Sequence, residues 1–234
     1  MKIRALFFLM AFAIVTNCIS AGKVTVWSSL PDTKALLVKK SMKLNSKPVE
    51  IKNKVEIFPD QTCQSVEGVG AALTLSSAYV FHHHLTAQRR DSLFKVLFTP
   101  AGIGINYTRL CIGASDFAFN LFSYSETEDF SLSNFNILED EKDVIPMLKE
   151  ILVINPNLKI LASPWSPPGW MKTSGSMVGG KLRPDCYDVY AEYLIKYIEA
   201  YRQHGITIDA LTVQNEPEYG TAAYPCMDMT AKEQ

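Results

Sequence analysis

Leu211-Thr-Val-Gln-Asn-Glu-Pro-Glu218 is the stretch on which the fold turns. A short apolar strand, Ala210 to Val213, runs straight into Asn215-Glu216-Pro217. A strand end is a rigid mount, and a carboxylate placed there can be aimed. Pro217 has no N–H and disfavours the helical region for the residue before it. The chain is therefore expected to leave the strand at Glu216 and turn there. Glu216 is the candidate general acid/base and Asn215 its substrate-binding neighbour. Asn-Glu-Pro is short enough to arise by chance, as an ordinary strand-to-helix turn with Pro217 at the first helical position. Its weight comes from the segments upstream.

Working back from Glu216, Ile206 to Val213 reads as a strand. Before it, Tyr190, Tyr193, Leu194, Tyr197, Ile198 and Tyr201 recur at three and four residues, the stripe of an amphipathic helix. Pro184 opens that helix and Gly205 follows its end. Leu158 to Ser163 is a second buried strand, followed by the proline-stiffened loop Pro164-Trp-Ser-Pro-Pro-Gly-Trp170. Trp165 is assigned a sugar contact through its indole face, and Trp170 a packing role. Asn155-Pro156 ends a helix over Val144 to Ile154 that Pro146 opens or kinks. Ser123 to Asp143 reads as a polar loop with several carboxylates.

A third strand spans Gly104 to Gly113. Arg109 within that apolar run needs a partner, because a buried guanidinium is costly alone. Asp116 lies just past the strand end, as a ligand for sugar hydroxyls or as a turn or helix cap. Asn106-Tyr-Thr108 is a glycosylation sequon placed in a buried strand, so its use is not expected. Val66 to Thr74 is the first strand of this series. Gly68 and Gly70 flank an apolar position there, as in a strand that must pack tightly, and the third glycine of a phosphate loop is missing. A helical stretch carrying Leu85, Leu93, Phe94 and Leu97 follows. His82-His-His84 sits inside it. Consecutive helical residues point about 100° apart, so three adjacent histidines do not share one metal face; no metal is expected.

Strand and helix alternate four times, which argues for parallel βα units. Lys23 to Val66 is different. Val24 to Trp27, Ala35 to Val38, Val49 to Ile51 and Val55 to Phe58 read as short β-branched strands.

The chain has 234 residues, 47% of them hydrophobic, and a net charge of -1. No field favours nucleic acid or an anionic membrane. Lys2 and Arg4 precede an apolar run, Ala5 to Val15, and small residues follow at Asn17 to Ala21. This reads as a secretory signal peptide, which places the protein in the secretory pathway. Cys63, Cys111, Cys186 and Cys226 could form disulfides in that compartment or remain as buried free thiols.

Four ordered motifs carry a resemblance. They are Gly68-Val-Gly-Ala-Ala-Leu-Thr74, Ile112-Gly-Ala-Ser-Asp-Phe117, Leu161-Ala-Ser-Pro-Trp-Ser-Pro-Pro-Gly-Trp-Met-Lys-Thr173 and Val213-Gln-Asn-Glu-Pro217. Together they resemble glycoside hydrolase family 30, the glucosylceramidase group in particular. Leu75 and Val69 depart from the residues usual in the first motif. The resemblance implies an α/β fold, a (β/α)8 TIM barrel beside a β-sandwich side domain to which the N-terminal strands belong. A full barrel needs about 250 residues, so only the N-terminal half is expected here. The expected divisions are a signal peptide over 1–21, a β segment over 22–64 and the first half of the catalytic barrel over 65–234.

The resemblance also implies retaining hydrolysis of a β-glycoside by two glutamates, with glucosylceramide the expected substrate, an endo-β-glycanase or a non-catalytic sugar-binding fragment the alternatives, and an extracellular or lysosomal setting. The acid/base falls on Glu216 and the residue contacting the sugar 2-hydroxyl on Asn215. The sugar-binding aspartate falls on Asp116, the stacking tryptophan on Trp165, the arginine supporting the carboxylates on Arg109, and the active-site tyrosine on Tyr224. No cofactor and no nucleic-acid partner are implied; a glycolipid or β-glucoside is, with transient contact to a membrane or activator protein. The nucleophile belongs to a later strand, so the 234 residues as written are expected to show no turnover.

Overall fold

A computed structural model describes residues 22–30, 35–44 and 54–234. The chain divides into two compact units, Met1–Cys63 and Gln64–Gln234. The signal segment and the strand expected at Val49 to Ile51 lie outside the described residues.

In the first unit, β1 (Lys23–Leu30) pairs antiparallel with β2 (Ala35–Lys43). The register sets Trp27 opposite Lys39, whose ammonium lies 5.3 Å from the indole centre. Val55 to Phe58 is not a strand. Val55 and Ile57 are more than 80% exposed, and with no ladder partner among the described residues, β-branched composition alone does not make a strand.

The second unit is built on four parallel strands: β3 (Gly70–Leu73), β4 (Tyr107–Ile112), β5 (Lys159–Pro164) and β6 (Ala210–Leu211). Their spatial order is their sequence order. The winding therefore proceeds in one direction, as around a barrel, and never reverses as in a doubly wound sheet. β3 passes so close to β4 that a Cβ on Gly70 would sit 1.4 Å from the Tyr107 carbonyl oxygen. The expected helix after β3 is two helices, α1 (Leu75–His84) and α2 (Ala87–Phe98), separated at Leu85-Thr86. The side chains of Thr74 and Thr86 cap their N-termini. Asn106 lies just before β4 rather than within it; it is exposed, and its side-chain oxygen accepts the Val69 N–H at 2.8 Å.

The loop after β4 is not merely polar. It buries Tyr124, Leu132 and Ile137 and contains a short helix, α3 (Leu138–Lys142), before α4 (Val144–Ile154). Pro146 sits in the first turn of α4, where its missing N–H costs nothing. α5 (Tyr187–Gln203) follows a 3-10 turn at Pro184–Cys186. It buries Tyr190, Tyr193, Tyr197 and Tyr201 along one face and ends at Gly205, which takes φ +78°. These tyrosines, the apolar face of α4 and the outward residues of β4 and β5 form one core.

β4 alternates: Thr108, Leu110 and Ile112 are buried, Tyr107, Arg109 and Cys111 less so. Period two thus puts Arg109 on the face opposite the helices, the inner side of a barrel wall. The last strand has only two paired residues rather than eight. Its hydrogen bonding to β5 continues all the same, from Asp209 N to Ile160 O (2.8 Å), Thr212 N to Ala162 O (3.0 Å) and Asn215 N to Pro164 O (2.8 Å). Cys63, Cys111, Cys186 and Cys226 are all free thiols. Burial pushes the Cys111 thiol up to about 11, so it is not a nucleophile near neutral pH.

Candidate active site at the strand ends

Four of the six predicted site residues meet in one chain of hydrogen bonds, and a fifth, Trp165, packs against it. Arg109 on β4 donates through Nη2 to Ser163 Oγ at 2.8 Å and to Asn215 Oδ1 at 2.6 Å. Asn215 in turn offers Nδ2 to Glu216 Oε2 at 3.4 Å. The same oxygen also accepts the Tyr224 hydroxyl, at 3.2 Å. Ser163 also bonds the Thr212 hydroxyl, so adjacent strand ends are tied beneath the cluster. Trp165 packs against Arg109, whose guanidinium carbon lies 4.5 Å from the ring centre.

The partner that Arg109 needed is thus a neutral amide, a hydroxyl and an indole face. It supports Glu216 through Asn215 and does not touch the carboxylate. With Arg109 holding the Asn215 oxygen, the amide nitrogen must face Glu216. Partial desolvation, then the charge of Glu216 and the hydrogen bond to it, raise the pKa of Tyr224, so the phenol stays a donor near neutral pH. Asp116 also contributes to that rise, so its carboxylate lies within electrostatic range of Tyr224.

Asp116 does not cap the turn it sits in. Ser115 closes that turn, accepting the Phe117 N–H at 3.1 Å, and the Asp116 side chain remains exposed. The turn is fixed from below: Gly113, at φ +75°, gives its N–H to the Tyr124 hydroxyl at 2.9 Å.

Two expectations change. The side chain of Glu216 is exposed, so within this chain hydrogen bonds hold it and burial does not. Its backbone adopts φ +45°, the left-handed region rather than the extended one that a residue before proline prefers. A non-glycine residue there stores strain, of order 1–3 kcal/mol, at a site held by its neighbours. Trp165 is buried, 7% exposed, with Arg109 stacked on its ring, and so is not the open stacking platform expected. Trp170 packs as expected, with Nε1 bonded to Ser125 O at 2.9 Å.

The model of the glycosyl hydrolase family 30 TIM-barrel domain matches residues 66–234. The chain belongs to glycoside hydrolase family 30. An endo-1,6-beta-D-glucanase of Neurospora crassa is 38% identical over 187 residues, which cover 76% of this chain and 39% of that protein. The lysosomal acid glucosylceramidase of Mus musculus is 33% identical over 187 residues, 75% of this chain and 36% of that protein. Among solved structures, SrfJ from Salmonella typhimurium superposes with a TM-score of 0.79 at 29% identity, covering 91% of this chain and 48% of that one. The chain thus spans about two fifths of the length of the curated relatives it matches.

Sequence reasoning missed two supports of this family 30 site. Lys172 is 2% exposed and donates to Ser166 Oγ (3.0 Å), Met177 O (2.9 Å) and Cys226 O (2.6 Å). It ties the loop after β5 to the segment just past Tyr224. Burial lowers its pKa to about 8. A lysine inside so apolar a loop was the available signal. Asp140 is the second. It accepts the hydroxyls of Tyr124 (2.7 Å) and Tyr201 (2.6 Å), and nothing in Leu138-Glu-Asp-Glu-Lys142 distinguishes it from its exposed acidic neighbours.

Proposed function

We propose that this protein is a retaining β-glycosidase whose substrate is a glucosylceramide-like glycolipid, hydrolysed to sugar and ceramide. The observation that carries the chemistry is the Arg109–Asn215–Glu216–Tyr224 chain of hydrogen bonds at the ends of parallel strands. In this proposal Glu216 protonates the leaving glycosidic oxygen, and Asn215 holds the sugar 2-hydroxyl as charge develops at the neighbouring carbon. Asp116 binds further hydroxyls. Retention requires a second carboxylate about 5–5.5 Å away, attacking the anomeric carbon from the opposite face. Glu218 lies two positions on, beyond a proline, and does not serve; the proposal assigns the nucleophile to protein outside these 234 residues. Water then cleaves the glycosyl-enzyme, with Glu216 taking its proton.

A lipid aglycone is supported by Phe117, Phe119 and Leu121. All three are more than 55% exposed and directly follow Asp116. Delivery to an extracellular or lysosomal compartment, with transient membrane or activator contact, belongs to the same proposal. The 38% identity to a fungal endo-1,6-beta-D-glucanase favours a second reading, hydrolysis within a β-1,6-linked glucan. The test is to express the protein from its complete reading frame and assay glucosylceramide beside a β-1,6-glucan. Glu216→Gln should abolish turnover of whichever is cleaved. Turnover of neither substrate, or full activity in that variant, would refute the assignment.

A further inference from the structure

Away from the strand-end cluster, two of the three adjacent histidines converge on a carboxylate from another element. His82 Nδ1 lies 2.7 Å and His83 Nε2 2.8 Å from the same Asp143 oxygen, Oδ1. The three donor atoms fall within 4.8 Å of one another. The divergence of about 100° between consecutive helical residues is overcome in a specific way: His82 uses its near ring nitrogen and His83 its far one. His84 takes no part, and Asp143 supplies the third donor from the junction of α3 and α4.

Asp143 is placed for this role at the expense of an ordinary one. It occupies the N-cap of α4, where an aspartate usually accepts from the first-turn N–H groups, and its side chain makes no such bond. It is 7% exposed and turned toward α1 instead. Tyr79 packs on the His83 ring with centroids 4.6 Å apart, which limits rotation of that imidazole. The nearby cation, Arg90, bonds the His82 carbonyl oxygen at 3.4 Å but is neutralised by Glu150 at 2.7 and 2.9 Å. Arg90 thus pairs with Glu150 and leaves Asp143 to the two histidines.

We propose that His82, His83 and Asp143 form a binding site for a divalent first-row cation, Zn2+ above all. Two imidazoles and one carboxylate are a borderline donor set that suits Zn2+ and not Ca2+ or Mg2+. Zn–N and Zn–O bonds of about 2.0–2.2 Å set tetrahedral ligand separations near 3.3 Å, so the carboxylate oxygen draws back from each ring nitrogen by about half an ångström while the two nitrogens, within 4.8 Å of one another, close on the ion. Each neutral imidazole keeps its one proton, on the ring nitrogen facing away from the metal. The histidine side chains are 34% and 48% exposed, leaving the fourth position to water. The ion would brace α1 against the α3–α4 junction. Tyr79, which contacts both His83 and Phe119, connects that brace to the loop following Asp116.

The test is calorimetric titration of chelator-treated protein with Zn2+, repeated with Co2+ and read by its visible absorption. One equivalent should bind, and Co2+ should give the intense bands of a four-coordinate site. His83→Gln, a change at a half-exposed residue, and Asp143→Asn should each weaken binding by more than about 100-fold, beyond the 10–100-fold typical of outer-shell changes. His84→Gln should leave it unchanged. Far-UV circular dichroism of each variant checks folding, and the His83 variant carries the test if the Asp143 variant unfolds. No saturable binding would overturn the proposal. So would binding unaffected by His83→Gln, or weakened equally by His84→Gln.

Discussion

Asp140→Asn should remove a loss of stability that the natural protein suffers between about pH 4 and pH 6. Asp140 is 2% exposed and accepts two tyrosine hydroxyls on one oxygen. Burial pushes its pKa from 3.8 up to about 6, the two hydrogen bonds oppose the rise, and Glu139 and Glu141 add to it. Between those two pH values the folded protein keeps a proton that the unfolded chain has released. Stability then falls as pH rises, by about 1.4 kcal/mol per pH unit. The contribution is full below about pH 4 and gone above pH 6, a change of about 3 kcal/mol. Asparagine cannot ionise, and its amide oxygen can still accept both hydroxyls. Asp129, held low chiefly by the Ser131 hydroxyl, and Glu233, held low chiefly by the Thr230 N–H, tilt the curve the opposite way in both proteins. The difference between the two proteins therefore isolates Asp140. Urea unfolding at pH 4, 5, 6 and 7 measures it. Two stability profiles that run parallel across this range would refute the assignment of a strained buried carboxylate. The outcome bears on the site as well, because the Tyr124 hydroxyl that donates to Asp140 also receives the Gly113 N–H at the turn leading to Asp116.

The other predictions follow from single contacts. Lys172→Met leaves Ser166, Met177 and Cys226 without their shared donor and should cost about 3 kcal/mol in denaturant unfolding. Gly70→Ala puts a methyl group 1.4 Å from a backbone oxygen and should prevent β3 from pairing with β4, read as loss of cooperative thermal unfolding. Gly175→Ala has nothing within 4 Å and only the strain of φ +64°, so it should cost about 1 kcal/mol in the same measurement. Arg109→Lys keeps the charge but loses the planar guanidinium, whose Nη2 reaches both Ser163 and Asn215 and whose face stacks on Trp165. If the proposed activity holds, kcat should drop by roughly 10- to 100-fold with KM little changed.

The sequence by itself determined the parallel βα order, the helix stripe of Tyr190 to Tyr201 and the location of Glu216 at a strand end. Each is a local property, written in hydrophobic period, proline and glycine placement, or a motif a few residues long. Only the tertiary structure decided which side chains meet across long separations. Arg109 stands on β4 and Asn215 follows β6, and nothing local says that a guanidinium will orient an amide. Asp140 looks like its exposed neighbours until α5 buries it. His82 and His83 diverge along their helix until Asp143 arrives from another one. The physical reason is the same in each case: periodicity fixes the face on which a side chain stands, whereas its partner, burial and charge state are set by whatever the fold packs against that face.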